Sequence, residues 1–136
     1  NLINARIETL NQKPAFKETK PCLVVTDGWY EWKKSNTSER YPFYFHKGGK
    51  IIYMAGIYNE IGCAIVTKNA SPKIANIHHR QPVLLNKLGR RHWIKGLALR
   101  SEHFYSDIES YRVGNFVNSR KFDKPACIAP LKETPI

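Results

Sequence analysis

The 136-residue chain is long enough for one domain with a modest buried core, and 42% hydrophobic with 12% aromatic residues is the composition of a folded protein. Its 22 Lys and Arg against 11 Asp and Glu leave a net charge of +11, which attracts polyanions and points to nucleic acid as the partner. No run approaches the roughly 18 apolar residues of a membrane span, no charged start followed by a short apolar region suggests a signal peptide, and Cys22, Cys63 and Cys127 form no CxxC pair; this argues against a membrane protein, a disulfide framework and a zinc site and fits a reducing cytoplasm.

The chain opens on Asn1-Leu2-Ile3-Asn4-Ala5 and has its single methionine at Met54, so residue 1 is not a translation start and an N-terminal segment is expected upstream. Residues 1–9 read as a short strand that turns into a brief helix near Glu8 and Thr9. Pro14 interrupts that helix, and Lys13, Lys17 and Lys20 make the following connection basic. In an extended Asn4-Ala5-Arg6, alternation sets the Asn amide and the Arg guanidinium on one face, a fragment able to orient a nucleophile beside a phosphate. Residues 22–33 run strand, Asp-Gly break, strand. In Asp27-Gly28-Trp29-Tyr30-Glu31-Trp32 one carboxylate stands among aromatic rings directly after the apolar Cys22–Thr26. Alternation points Trp29 and Glu31 one way and Tyr30 and Trp32 the other; loss of hydration there raises the carboxyl pKa toward values useful for acid and base catalysis.

Beyond a polar loop at 33–38, residues 41–46 and 51–58 flank Gly48-Gly49, a pair suited to the positive φ angles of a tight hairpin. Cys63–Thr67 predicts a buried strand, and Asn69–Pro72 a turn. In Ile77-His78-His79-Arg80-Gln81-Pro82-Val83, His78 and Arg80 are two apart and could share a face, an imidazole for proton transfer beside a phosphate-holding fork. Adjacent strand residues such as His78 and His79 point apart, which disfavours a metal between them. Leu88, Arg91, His92, Ile94 and Lys95 pattern a short basic helix ending at Gly96. Residues 106–111 read as helical, and the tail holds two candidate strands, 111–118 and 127–129, around a basic loop at Arg120, Lys121 and Lys124. Short strands with few helices make an α+β domain spanning 1–136.

Read together, Leu2-Ile3-Asn4-Ala5-Arg6-x-Glu8-Thr9, Cys22-Leu23, Asp27-Gly28-Trp29-Tyr30-Glu31-Trp32, Ile65-Val66-Thr67, Ile77-His78-x-Arg80-x-Pro82 and Val113-Gly114-Asn115-x-Val117-Asn118 resemble, in order, the SOS response-associated peptidase (SRAP) family. The resemblance implies mainly antiparallel strands curled into a barrel-like sheet with a few flanking helices. It implies a bacterial, cytoplasmic protein, nucleoid-associated when bound to DNA, that binds single-stranded DNA and traps abasic sites. The trap is a thiazolidine crosslink to an N-terminal cysteine freed by autocatalytic loss of the initiator Met. Members begin Met-Cys-Gly-Arg, a portion this sequence does not contain, and Cys22 matches a core cysteine without a free α-amine.

By matching position the catalytic residues would be Glu31, the acid and base of ring opening and imine formation, His78, which protonates the sugar oxygen, and Asn4. Thr67 would hold the cysteine end together with Asn4; on the DNA-binding side Arg6 and Arg80 would grip phosphates and Trp32 would wedge beside the lesion. No cofactor or metal is expected, and the protein is expected to act as a monomer away from membranes. The alternative from another class is a single-stranded nucleic-acid-binding module without chemistry. A general cysteine peptidase is disfavoured, because no Cys-His pair with an orienting partner can be assembled from these residues.

Overall fold

A computed structural model describes residues 3–10 and 18–131 of the chain. The expected interruption at Pro14 and the basic residues Lys13 and Lys17 lie outside the described residues. Among the described residues eight strands form: β1 (Ile3–Arg6), β2 (Lys20–Thr26), β3 (Gly28–Lys34), β4 (Arg40–His46), β5 (Ile52–Tyr58), β6 (Cys63–Asn69), β7 (Arg80–Pro82) and β8 (Glu109–Arg112). Short helices α1 (Pro72–Ala75) and α2 (Lys87–Ile94) and several 3-10 turns, one of them at Ile7–Thr9, accompany the strands in an α+β fold.

The strands divide into two sheets, and neither closes into a barrel. The larger has the order β1-β6-β5-β2, with β7 also on β6; the smaller has the order β3-β4-β8. Among the described strands only β1 against β6 is parallel. The barrel-like expectation fails at the two turns that were read as ordinary strand connections. After Asp27-Gly28 the chain leaves the first sheet for the second, and after Gly48-Gly49 it returns, so β2 pairs with β5 and not with β3. The Gly48-Gly49 turn has the expected shape, with φ of 62° and 81° and a Lys50 N–H to Lys47 carbonyl bond of 3.2 Å. Its flanking strands nevertheless do not pair, so it is no hairpin. Gly28 is required where the chain leaves: a Cβ there would lie 2.2 Å from the Tyr44 hydroxyl, which occupies that space and donates to the Asp27 carbonyl.

Alternation along the strands fills two cores. Ala55, Ile57, Val66, Val83 and Leu85 face α2 and its buried Trp93, whereas Ile52, Met54, Leu84 and the half-buried Ile65 face the smaller sheet with Phe45, Trp29 and Phe43. The central strand β5 is therefore buried on both faces and reads as one apolar run. Where β5 and β6 part beyond Ile65, residues 80–85 enter between them: the Val83 N–H donates to the Val66 carbonyl and the Ala55 N–H to the Val83 carbonyl, both at 2.9 Å. The opposite face of the smaller sheet is strapped by residues 115–131, whose carbonyls at Cys127 and Ile128 accept from the hydroxyls of Tyr30 and Tyr111.

Three local expectations are corrected. Residues 106–108 form no helix: the Ile108 N–H turns back to the Ser106 carbonyl at 3.0 Å before β8 begins, and of the expected tail strands only 111–112 lie in a strand, β8, the rest holding 3-10 turns at Asn115–Asn118 and Pro125–Ile128 and a bridge between Val113 and Pro130. In α2 the buried side is Gly89 and Trp93, while Leu88 and Ile94 are half exposed; the Trp93 indole is claimed by the Cys22 and Gly56 carbonyls at 3.0 and 2.9 Å. As expected, α2 ends at Gly96, with φ of 73°.

Candidate active site

Glu31 is carried by β3 in the smaller sheet, directly opposite Phe43 of β4. His78 comes from the larger sheet's side, in the loop between α1 and β7. The stacking of the two sheets brings His78 Nε2 to 3.7 Å from Glu31 Oε2, both side chains being half-buried. Burial pushes the Glu31 carboxyl above its ordinary range, and the charge of the neighbouring His78 opposes that shift. In the tautomer whose proton sits on Nε2, toward Glu31, the Arg80 N–H donates to His78 Nδ1 at 3.1 Å. When the ring is charged, Nδ1–H can instead donate to the Arg80 carbonyl, 3.0 Å away. The Arg80 backbone thus orients the imidazole in both states, and the carboxyl and imidazole form a pair able to pass a proton.

An open cleft of about 410 Å³ surrounds this pair. Trp32, Lys33, Lys34, Arg40, Ala75, Asn76, Ile77 and His79 complete its lining. Three cations beside one carboxyl give it a positive mouth. As alternation requires, Trp29 turns inward to stack on Phe45 at 5.0 Å, while Tyr30 and Trp32 lie on the other side with ring centroids 6.3 Å apart. The Trp32 indole N–H donates to Asn118 Oδ1 at 2.8 Å, a tether from the 115–131 strap. The rings of His78 and His79 do not point apart: they stack at 4.7 Å, because these residues form a loop and not a strand. Among the described residues no group of three or more His, Cys, Asp or Glu side chains is placed to hold a metal.

A second cluster adjoins the first through the peptide of Arg80. The β1 strand alternates as expected, Asn4 and Arg6 exposed and Ala5 buried between them. The buried Arg80 guanidinium reaches Glu8 with both terminal nitrogens, at 2.9 and 3.2 Å, and also donates to Asn69 Oδ1 at 2.7 Å and Thr67 Oγ1 at 3.1 Å. Thr67 sits opposite Arg6 in the parallel β1–β6 register. Glu8 also pairs with Arg6, whose Nε is 3.6 Å away and whose side chain is 60% exposed. The structure therefore joins Glu31 with His78, and Arg6 with Arg80 and Thr67 through Glu8; Asn4 precedes Arg6 on the same face of β1. Glu8, Asn69 and Asn118 were given no role in the sequence reading. Glu8 and Asn118 stood inside the quoted motifs, but a partner 72 residues away in the chain leaves no periodic signal.

The two free thiols Cys22 and Cys63 meet 3.9 Å apart across Gly56 of β5. Burial first, then the hydrogen bond and charge of Cys63, push the Cys22 thiol up to about 11. Such a thiol is protonated at neutral pH and is no nucleophile.

The family model described as SOS response associated peptidase (SRAP) matches residues 1–120. The chain is similar to abasic site processing protein YoqW of Bacillus subtilis (strain 168), 29% identical over 148 residues, covering 93% of this chain and 66% of that protein. It is similar to abasic site processing protein YedK of Escherichia coli (strain K12), at 32% over 105 residues, covering 69% of this chain and 47% of that protein. Abasic site processing protein HMCES of Pongo abelii is 27% identical over 180 residues, covering 96% of this chain and 50% of that protein. The chain thus spans about half to two thirds of these relatives' length. A crystal structure of a protein from Bacteroides thetaiotaomicron shares the fold with a TM-score of 0.75 at 23% identity, covering 95% of this chain and 66% of that one.

Proposed function

This chain belongs to the SOS response associated peptidase (SRAP) family, and on that premise we propose that it processes abasic sites in DNA, holding a single strand in the Glu31–His78 cleft and trapping the lesion covalently. The names of its relatives support the substrate, and the proton-passing pair at 3.7 Å within a cationic cleft is the observation that carries the reading.

An abasic nucleotide has lost its stacked base, so drawing it into a cleft costs less than flipping an intact one. Protonated Glu31 and His78 supply and take protons as the sugar ring opens to its aldehyde. The α-amine of an N-terminal cysteine, which is not among residues 1–136, adds to that aldehyde carbon, and loss of one water leaves an imine. The cysteine thiol then adds to the same carbon while its proton passes to nitrogen, closing a thiazolidine with one water as the net by-product. A carboxyl raised by burial suits these steps because it is a competent acid and base nearer neutrality. Arg6, with its exposed guanidinium, and Lys33, Lys34 and Arg40 grip the phosphates. Arg80, whose two terminal nitrogens are taken by Glu8, Thr67 and Asn69, serves that grip by fixing Glu8 and so Arg6, while its backbone aims His78. Asn4 and Thr67 hold the cysteine end, and Trp32, tethered at Asn118, stands beside the lesion.

The test is adduct formation between the protein carrying its N-terminal cysteine and an abasic single strand, read on a denaturing gel without borohydride. Glu31→Gln is expected to slow the adduct about a hundredfold, the lower range for loss of a general acid–base. An unchanged rate, or no adduct from the unsubstituted protein, overturns the proposal.

A further inference from the structure

A hollow of about 260 Å³ lies away from the cleft, at the opposite end of β4. Arg40 begins β4 and lines the cleft, whereas Lys47, just beyond its last residue, lines the hollow. Seven residues of strand separate the two by roughly 20 Å. The floor is apolar, supplied by the buried Ile52, Leu84 and Leu85. The rim is cationic: Lys47 from the β4–β5 turn, and Lys87 and Arg90 from the first turn of α2. No carboxylate lines it. Two of the cations are held in place, Lys47 Nζ lying 3.7 Å from the centre of the Tyr105 ring and the Arg90 guanidinium 4.1 Å from that of Tyr53. Such contacts reduce the side-chain freedom that binding would otherwise remove. Burial first, and then the charge of Asp107, raise the Tyr105 phenol, and Lys50 opposes them.

We propose that Lys47, Lys87 and Arg90 form a second phosphate-binding site, remote from the Glu31–His78 cleft and independent of its chemistry. Three cations converge with no acidic partner in the lining, and like charges gathered beside an apolar floor repel one another until an anion enters. The phosphate belongs either to the backbone of a nucleic acid longer than the cleft alone can hold, or to a free phosphate group. The ordering of two cations over tyrosine rings distinguishes the hollow from a scatter of solvated surface lysines.

The full chain is titrated with a fluorescent, intact single-stranded oligonucleotide across a salt series, alongside Lys47→Gln/Arg90→Gln and a control pair, Lys73→Gln/Lys121→Gln, that removes the same charge elsewhere. The hollow pair is expected to weaken binding about fivefold or more beyond the control and to lower the salt slope by about 0.7 per lost contact. Lys87→Gln, which disturbs no ring contact, is expected to act in the same direction if the double variant folds poorly. Inorganic phosphate is titrated in parallel by NMR. If the oligonucleotide is indifferent to the hollow but phosphate shifts Lys47 and Arg90 signals in a way the double variant abolishes, the site stands and its ligand is a free phosphate. If neither responds, the proposal is overturned. Because the strand is intact, loss of adduct chemistry at Glu31 leaves this result unchanged.

Discussion

Position 31 holds its carboxyl at the expense of stability. Burial raises its proton affinity above the ordinary value of 4.5, and the His78 charge offsets this only in part. Below 4.5 folded and unfolded chains are both protonated there. As pH rises toward the elevated folded value, the unfolded chain releases a proton that the folded one keeps, so stability falls. Glu31→Gln should therefore leave the melting temperature near that of the unsubstituted protein at pH 4 and raise it at pH 8; equal shifts at both, followed by circular dichroism, would refute a desolvated carboxyl. This residue was legible in the sequence because a charge amid Trp29, Tyr30 and Trp32 after an apolar run contradicts its surroundings. The state of Arg80 was not. Its sequence neighbours suggest an open fork, while its actual partners, Glu8, Thr67 and Asn69, come from two other strands or their ends.

At the scale of the elements, α2 shows how packing reverses a local preference. In an exposed helix interior, Gly→Ala stabilises by about 1 kcal/mol. At Gly89 a Cβ would lie 2.2 Å from the His103 carbonyl oxygen, which also accepts from the Asn86 N–H, so the helix cannot keep its seat. Gly89→Ala should destabilise by about 1–3 kcal/mol, measured by chemical denaturation, and a stabilised variant would show that α2 does not rest on that carbonyl. Strand positions were readable from apolar runs and Gly breaks, and β2 through β6 fall where the pattern places them. Their pairing was not readable. Period-2 alternation marks a strand but does not say which sheet it joins, and Gly48-Gly49 has the same dihedral signature whether it closes a hairpin or carries the chain between layers. The 3-10 turns of the tail were misread because Val, Phe and Ile there suit strands, whereas bonds from Tyr30 and Tyr111 hold that segment as a strap.

For the whole molecule, an excess of 11 positive charges is distributed and not merely summed. Lys33, Lys34 and Arg40 line the cleft, Arg6 stands exposed in the adjoining cluster, and Lys47, Lys87 and Arg90 rim the second hollow. At about 0.7 per phosphate on a single strand, four contacts give a slope of log affinity on log salt near −3, and all seven one near −5. Anisotropy titrations with a long oligonucleotide should give the steeper value, and a slope shallower than about −1 would mean that the charge is only a solubilising coat. The layering itself has a mechanical result. Because the acid rides on one sheet and the imidazole enters from the other, the gap between Glu31 and His78 is a gauge of how the layers sit. A slip of even 1 Å between them would break proton transfer while leaving every ladder bond within each sheet intact, so heat should silence the chemistry before any spectroscopic probe of secondary structure registers a change.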